Sequence, residues 1–201
     1  MDGPEQGEMT MAHPTTDHNA IPTDRLWLIS MTPPFLEASL AGDRPRAAGI
    51  LGATVPAVWQ EETWLMRLRL EQLQADSVLQ PWLLRAIVHR ESNMMVGHVG
   101  FHGYPGGEYL QEYAPTAAEM GYTIFPDYRH PGYPRAAAAA LMHWAATEQG
   151  VRQFVFSISP DNIPSQRIAV HFGFRKVGRW EDEEDGPEDV FVLDWAEAGI
   201  Q

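Results

Sequence analysis

A short segment between a predicted strand and a predicted helix, residues 128–135, has the composition of a phosphate-binding turn. It reads YRHPGYPR, so Gly132 comes just before the helix. The first turn of a helix has backbone N–H groups without intrahelical partners, and these groups attract anions. Pro131 and Pro134 each remove one donor, although proline is accepted as a first helical residue. The turn is therefore suited to binding a pyrophosphate.

A second group of polar residues begins the next predicted helix. Asn162 follows Pro160 and Asp161, and Ser165 comes three residues later. Asparagine is a frequent N-cap, and a serine in the first turn also satisfies backbone groups. Each residue taken alone is therefore explained by capping, and a ligand-binding role depends on the spacing of all the motifs together.

The strand before the phosphate-binding turn contains an acidic residue. Side chains alternate along a strand, so Glu119 shares one face with Gly121 and Thr123, while the residues between them face the other way. The strand ends near Pro126. Glu119 is therefore a carboxylate on a strand of otherwise small or apolar residues.

The hydrophobic pattern predicts the elements that position these residues. Alternation predicts strands over residues 82–89, 95–101, 119–125, 152–159, 174–180 and 190–195. Helices are predicted from Thr32, within residues 55–74, over residues 134–149 and over residues 162–172. Three tryptophans of the first half, Trp59, Trp64 and Trp82, are expected in the core. A strand, helix, strand crossover at the centre indicates a mixed sheet and an α/β class, or α+β by stricter naming.

The charge balance bounds the choice of partners. The chain of 201 residues has 27 acidic and 14 basic residues, a formal net charge of −13. Such a field repels nucleic acid and favours a cationic substrate, although many of the acids crowd residues 181–189 and are expected to form a solvated loop. No apolar run approaches the roughly 20 residues that span a bilayer, so the pattern does not support a membrane anchor.

The composition predicts one domain. Residues 1–23 contain acids and prolines and are interpreted as a flexible tail, and residues 24–201 as a single domain. The chain has no cysteine, which favours the cytoplasm. Its histidines are scattered without ligand spacing, so no metal site is predicted. The sequence is compatible with a monomer or a homodimer.

Together these motifs resemble the GNAT superfamily of N-acetyltransferases. Its first signature is a glutamine or arginine, two residues, glycine, one residue and then glycine or alanine. Here it reads Arg129, Gly132 and Pro134, with proline in place of the last small residue. Further matches, most similar to the branch of ribosomal-protein N-terminal acetyltransferases, are Glu119, Met120, Gly121, Tyr122, Asn162, Ser165, Gly173 and Phe174. The resemblance covers roughly residues 96–195 and implies a mostly antiparallel central sheet with a splayed parallel strand pair and flanking helices.

The resemblance also implies acetyl-CoA as co-substrate. Pantetheine is expected in the gap between the splayed strands, held by main-chain groups near Ile124 and Phe125, with the pyrophosphate at the turn. The implied contacts are Ile124, Phe125, Arg129, His130, Gly132, Tyr133, Arg135, Asn162 and Ser165.

Catalytic roles follow from the same resemblance. Glu119 is the candidate base for the acceptor amine, with pairing to an arginine or exposure to water as equal alternatives. A strand N–H near Ile124 or Phe125 is expected to stabilise the oxyanion. Many GNAT enzymes protonate the leaving thiolate with a tyrosine, but the matching position is Ala169, so this role passes to Ser165. Asn162 is expected to orient pantetheine or the amine.

The predicted function is direct acetyl transfer from acetyl-CoA to a primary amine, either a protein N-terminus or a small cationic amine. The alternative is a non-catalytic CoA-binding or protein-interaction module, which Pro131, Pro134 and Ala169 favour. A structural protein without a CoA site would leave the paired motifs unexplained.

Overall fold

The structure, a computed structural model, describes residues 20–129, 132–182 and 186–197. Its strands are β1 (Ile21–Pro22), β2 (Leu26–Ser30), β3 (Arg85–His89), β4 (Met94–Phe101), β5 (Ala118–Ile124), β6 (Gln153–Ile158), β7 (Arg175–Asp182) and β8 (Gly186–Asp194). Its α-helices are α1 (Pro33–Leu40), α2 (Arg44–Leu51), α3 (Thr63–Ala75), α4 (Tyr133–Glu148) and α5 (Ile163–Phe172). Short 3-10 turns cover Ala57–Glu61, Ser77–Leu79, Glu108–Glu112, Pro126–Tyr128 and Trp195–Glu197.

The strands form one eight-stranded sheet in the order β1-β2-β3-β4-β5-β6-β8-β7. All neighbouring strands are antiparallel except β5 and β6, which are parallel. The register of β5 and β6 contains two pairs, Ala118 with Phe154 and Glu119 with Val155, both near the start of the strands. Beyond Glu119 the two strands separate. The predicted mixed, mostly antiparallel sheet with a splayed parallel pair is confirmed.

Helix α4 connects the two parallel strands across one face of the sheet. Its alanines allow close approach to the sheet, and Ala137, Leu141 and Ala145 are fully buried against strand residues. The helix ends before Gly150, whose φ of 71° belongs to the left-handed region that glycine adopts readily. The predicted helix over residues 134–149 is therefore confirmed to within one residue at each end.

The other face of the sheet packs against α1, α2 and α3. Trp59 is fully buried there, with its ring centroid 6.5 Å from that of Phe125. Trp82 is buried in the core on the α4 side. Core placement is thus confirmed for these two tryptophans. It is wrong for Trp64, which is 61% exposed, because α3 turns Met66 and Leu73 toward the core instead.

Three elements, strands β1 and β2 and helix α2, lie where the sequence pattern predicts none. Helix α2 is capped by Asp43, whose carboxylate accepts a hydrogen bond from the Arg46 N–H at 3.1 Å, but only Ala47 and Leu51 of this helix are buried. Strand β1 pairs Ile21 with Leu28, inside the segment 1–23 that the sequence assigns to a tail. Residues 1–19 of that segment lie outside the described residues.

Candidate active site

A cleft opens where β5 and β6 separate. It has a volume of about 590 Å³ and lies between the end of β5, the start of α4 and the first turns of α5. Its lining residues are Tyr122, Thr123, Ile124, Arg129, Pro134, Asn162, Pro164, Ser165 and Ile168. The structure thus brings Ile124, Arg129, Asn162 and Ser165 together, as the sequence predicts.

The wall formed by β5 directs main-chain groups into this cleft. The Phe125 N–H donates to the main-chain oxygen of Val96 in β4 at 3.0 Å. The main-chain oxygen of Glu119 accepts from the His102 N–H at 2.9 Å. Main-chain groups alternate in direction along a strand. The main-chain N–H and C=O groups of the odd-numbered residues of β5 therefore point toward β4. Those of Tyr122 and Ile124 point toward the side from which β6 has separated.

The main-chain groups of Phe125 form hydrogen bonds within the protein. Its N–H is bonded to Val96, its carbonyl oxygen accepts from the Tyr128 N–H at 2.9 Å, and its side chain is 1% exposed. The Phe125 N–H is therefore already paired, whereas its carbonyl oxygen keeps a second lone pair, so a main-chain contact of Phe125 with pantetheine stays a prediction.

The turn before α4 combines a left-handed glycine with cationic side chains. Gly132 has a φ of 102° and directly precedes the helix, and Arg129 and Arg135 are exposed on either side of it. The Arg25 guanidinium lies 5.3 Å from the ring centroid of Tyr133, and one of its nitrogens would be 3.0 Å from a Cβ atom at Gly132. Exposed guanidinium groups around a helix N-terminus fit an anionic group such as a pyrophosphate.

The other predicted turn residues are placed less directly. Tyr133 and Arg135 lie in the first turn of α4 beside the cleft, but they are not among its lining residues. His130 and Pro131 lie outside the described residues.

The start of α5 is organised by a cap and by a bond to β5. The side-chain Oδ1 of Asn162 accepts from the Ser165 N–H at 3.2 Å, which is an N-cap interaction. The Tyr122 hydroxyl donates to the Ser165 hydroxyl at 3.1 Å. Burial raises the pKa of Tyr122 above its ordinary value, and the bond to Ser165 opposes this shift only in part. Tyr122 therefore stays protonated at neutral pH.

Glu119 lies where the two strands still pair, at the closed end of the cleft. The carboxylate is 9% exposed, and its Oε2 is 2.9 Å from Nδ1 of His102, whose side chain is 49% exposed. Arg69 of α3 is also buried here, and it donates to the His102 carbonyl oxygen at 3.2 Å. Burial lowers the pKa of the Arg69 guanidinium, and the charge of Glu119 opposes this shift. Glu119 is thus held by an imidazole, beside a buried arginine.

Three residues of this region were missed as site residues: Tyr122, His102 and Arg69. Tyr122 belongs to a motif found in the sequence, but its partner Ser165 is 43 positions away, and no local pattern predicts that contact. For His102 a sequence signal existed in the alternation of side chains along β4 and β5. His102 follows directly after β4, and its side chain lies on the same face of the sheet as that of Glu119.

No cluster of three or more histidine, cysteine, aspartate or glutamate side chains that would suit a metal ion is found in the ranges that the structure describes. Among those same residues, every helix is too short or too polar to cross a bilayer.

Comparison with known proteins places the cleft in a family context. Residues 32–175 match the profile of the acetyltransferase (GNAT) domain. The N-acetyltransferase YnaD of Bacillus subtilis (strain 168), itself uncharacterized, is 27% identical over 92 residues, which are 46% of this chain and 49% of YnaD. The chain therefore spans about half the length of the curated relative that it matches.

Solved structures share the fold at low sequence identity. The ribosomal-protein-S5-alanine acetyltransferase of Vibrio fischeri matches 89% of this chain and 98% of its own, with a TM-score of 0.59 and 14% identity. RimJ of Mycobacterium smegmatis, solved in complex with CoA-disulfide, matches 87% of this chain and 84% of its own, with a TM-score of 0.57 and 18% identity. At these identities the similarity shows a common fold.

Proposed function

Since the chain belongs to the GNAT acetyltransferase family, we propose that it moves an acetyl group directly from acetyl-CoA to a primary amine. One observation carries this proposal: the cleft between β5 and β6 has a helix N-terminus with arginines at its open end and the hydrogen-bonded hydroxyls of Tyr122 and Ser165 on its facing walls. The first feature fits a phosphate group, and the second fits proton donation to a leaving group.

The chain's own groups divide the binding of acetyl-CoA between two regions. Arg129, Arg135 and the N–H groups of Gly132 and Tyr133 bind the pyrophosphate, with His130 as the further contact that the motif implies. Main-chain groups of Ile124 bind pantetheine, together with Asn162 and Ser165. The bound acetyl-CoA supplies an activated acetyl thioester.

Catalysis uses groups near the closed end of the cleft. The N–H groups of Tyr122 and Ile124 face the space from which β6 has separated, and they are the candidates for stabilising negative charge on the acetyl oxygen. Ser165, supported by Tyr122, protonates the departing sulfur. Glu119 supplies the negative charge that favours removal of a proton from the acceptor amine.

Two acceptor classes are supported by different observations. A protein N-terminus is favoured by the structural neighbours, which include an acetyltransferase named for ribosomal protein S5. A small cationic amine is favoured by the net charge of −13. We propose the protein N-terminus first, because the side chain of His102 beside Glu119 is half exposed and leaves this face accessible to a large acceptor. The cytoplasm is the proposed location.

Thermal unfolding with and without acetyl-CoA tests the co-substrate. Ligand at 100 times its dissociation constant adds about 2.7 kcal/mol to the free energy of unfolding, so we expect a clear rise in Tm. Release of CoA thiol is then followed with short peptides that begin with alanine or serine and with spermidine. The same peptides with acetylated N-termini are the matched controls.

The outcomes separate the candidate functions. Turnover with free but not with blocked N-termini supports N-terminal acetylation, and turnover with spermidine alone supports a small amine. A Tm rise without thiol release from any amine would instead support the non-catalytic CoA-binding module. No Tm rise at millimolar acetyl-CoA would contradict the proposal.

A further inference from the structure

The carboxylate predicted as the catalytic base is not the most accessible proton acceptor at this end of the cleft. Glu119 is 9% exposed, and its Oε2 lies 2.9 Å from Nδ1 of His102. The His102 side chain is 49% exposed. An acceptor amine approaching from solvent therefore meets the imidazole before it meets the carboxylate.

The second ring nitrogen of His102 lies over Gly121 of β5, on the face of the sheet that Glu119 shares. A Cβ atom built on Gly121 would lie 3.1 Å from His102 Nε2, so the imidazole edge covers the glycine. Gly121 lies between Glu119, where β5 still pairs with β6, and Tyr122, whose hydroxyl contacts Ser165. Because the anion-binding turn is at the other end of the cleft, the thioester end of a bound co-substrate falls near Gly121 and Tyr122.

The backbone of His102 is held on both sides. Its N–H donates to the main-chain oxygen of Glu119 at 2.9 Å, and its main-chain oxygen accepts from the Arg69 guanidinium at 3.2 Å. Glu119 of β5 contacts the imidazole itself, and Arg69 of α3 contacts the main chain of the same residue. The ring is thus fixed by its surroundings without being buried.

The neighbouring histidine on the same face does not have these properties. His98 is 5% exposed, and its ring lies 5.7 Å from that of Trp59 and 6.1 Å from that of Phe125. An acceptor amine cannot reach this imidazole without displacing core side chains. Of these two histidines, His102 is therefore the one that an acceptor amine can reach.

We propose that His102 Nε2 is the catalytic base and that Glu119 is a positioning residue that holds the ring with its proton on Nδ1. This inference depends on the proposed acetyltransferase function. A carboxylate bonded to one imidazole nitrogen fixes the tautomer in which the other nitrogen carries a lone pair, and it stabilises the imidazolium that forms.

The proton balance is simple. His102 Nε2 takes one proton from the acceptor ammonium and later returns it to solvent through its exposed edge. The amine nitrogen then forms a bond to the acetyl carbonyl carbon as the carbon–sulfur bond breaks, and the sulfur leaves with the bonding pair. The sulfur takes its proton from the Ser165 and Tyr122 hydroxyl pair. The second proton of the amine then replaces the proton that these hydroxyls gave up.

Two substitutions separate the base from its structural contact. His102→Asn places an amide near the position of Nδ1, where it can donate to Glu119, but has no counterpart of Nε2. His102→Ala removes both the contact with Glu119 and the proposed base. We expect kcat/KM for thiol release with an alanine-initiated peptide to fall about 100-fold or more in both variants. Added imidazole should restore part of the activity in His102→Ala, where the ring leaves a space.

Readouts other than turnover distinguish a base from a structural residue. The Tm rise with acetyl-CoA should match wild type in both variants. His143→Ala, which changes an exposed histidine on α4, is the matched control for turnover. Wild-type activity in His102→Asn would overturn the proposal, because that variant lacks the proposed base.

Nitrogen-15 NMR of the imidazole tests the tautomer without any substrate. The His102 signals, assigned from their loss in His102→Asn, should show that the neutral form of the ring carries its proton on Nδ1 and not on Nε2. The opposite tautomer would overturn the proposal. If wild type releases no thiol with the peptides or spermidine, the proposed function fails, and the tautomer alone decides the role of His102.

Discussion

The Tyr122 hydroxyl donates a hydrogen bond to the Ser165 hydroxyl at 3.1 Å, which connects β5 to α5 across the cleft. The Ser165 N–H in turn donates to the Asn162 cap. Burial raises the pKa of Tyr122 above its ordinary value near 10, so this phenol keeps its proton throughout the neutral range. In the proposed reaction, Tyr122 thus supports Ser165 in the role that many GNAT enzymes give to a tyrosine at the position of Ala169.

Substitution of Tyr122 by phenylalanine tests this role. The change removes the hydroxyl while keeping the ring that packs against Phe156. We expect kcat for thiol release to fall about 10- to 100-fold, because Ser165 loses the hydroxyl that supports it as proton donor to the leaving sulfur. The Tm rise with acetyl-CoA should stay near that of wild type. Steady-state kinetics and thermal unfolding measure the two effects.

A double-mutant cycle shows whether the two hydroxyls act as one unit. If they do, Ser165→Ala and the double variant should each be about as slow as Tyr122→Phe. Tyr113→Phe is the matched control, since the Tyr113 hydroxyl donates to the Arg179 oxygen away from the cleft. Fully additive losses would contradict a shared role.

Local sequence signals were sufficient for the elements with strong periodicity and clear caps. The alanine-rich α4 and the hairpin of β3 and β4 were predicted because each pattern is confined to one segment. Helix α2 was not, since its apolar periodicity is weak: only Ala47 and Leu51 are buried and the Asp43 cap is the main signal. Trp64 was misplaced because α3 turns a different face to the core than leucine spacing suggests.

The site was predictable where a motif lies in one turn and not where distant segments meet. Arg129 and Asn162 line the cleft because each begins or precedes a helix next to a splayed strand. The bond between Tyr122 and Ser165 depends on how β5 and α5 face each other, which no local pattern encodes. The pairing of the Phe125 N–H with Val96 is likewise a tertiary contact that no local pattern predicts.

Gly121→Ala tests the position of the His102 imidazole. The added methyl group would lie 3.1 Å from Nε2, which is closer than an ordinary contact, so the ring must move away from β5. We expect kcat/KM to fall about 10-fold, since catalysis depends on small displacements of the base. Gly49→Ala is the control, because its new methyl group meets no atom within 4 Å. Equal activity of both variants would argue against a role for the imidazole at this position.

Gly132→Ala tests the anion-binding turn. A φ of 102° is unfavourable for alanine, so we expect the free energy of unfolding to fall by about 1 to 2 kcal/mol. Relief of this strain would reshape the start of α4, and the Tm rise with acetyl-CoA should therefore shrink. Gly173→Ala, at a φ of 85° after α5, is the matched control: it should lose similar stability yet keep its full response to acetyl-CoA. Equal responses would contradict phosphate binding at Gly132.

The pH dependence of stability should depend on Asp189, a buried carboxylate in β8. Burial raises its pKa, but hydrogen bonds and charges from Lys176 and Arg179, at 2.6 and 2.8 Å, outweigh burial and hold the pKa below its ordinary value. A depressed carboxyl pKa gives stability that is present above the unfolded pKa, near 4, and lost as pH falls through the lower folded pKa. Asp189→Asn should therefore cost about 1 kcal/mol at pH 7, a modest value because both cations are half exposed and screened by solvent. Denaturant unfolding from pH 7 to pH 3 measures the difference in free energy of unfolding between wild type and Asp189→Asn, which should shrink as the pH falls. A difference that stays constant would show that the charge of Asp189 contributes nothing to stability.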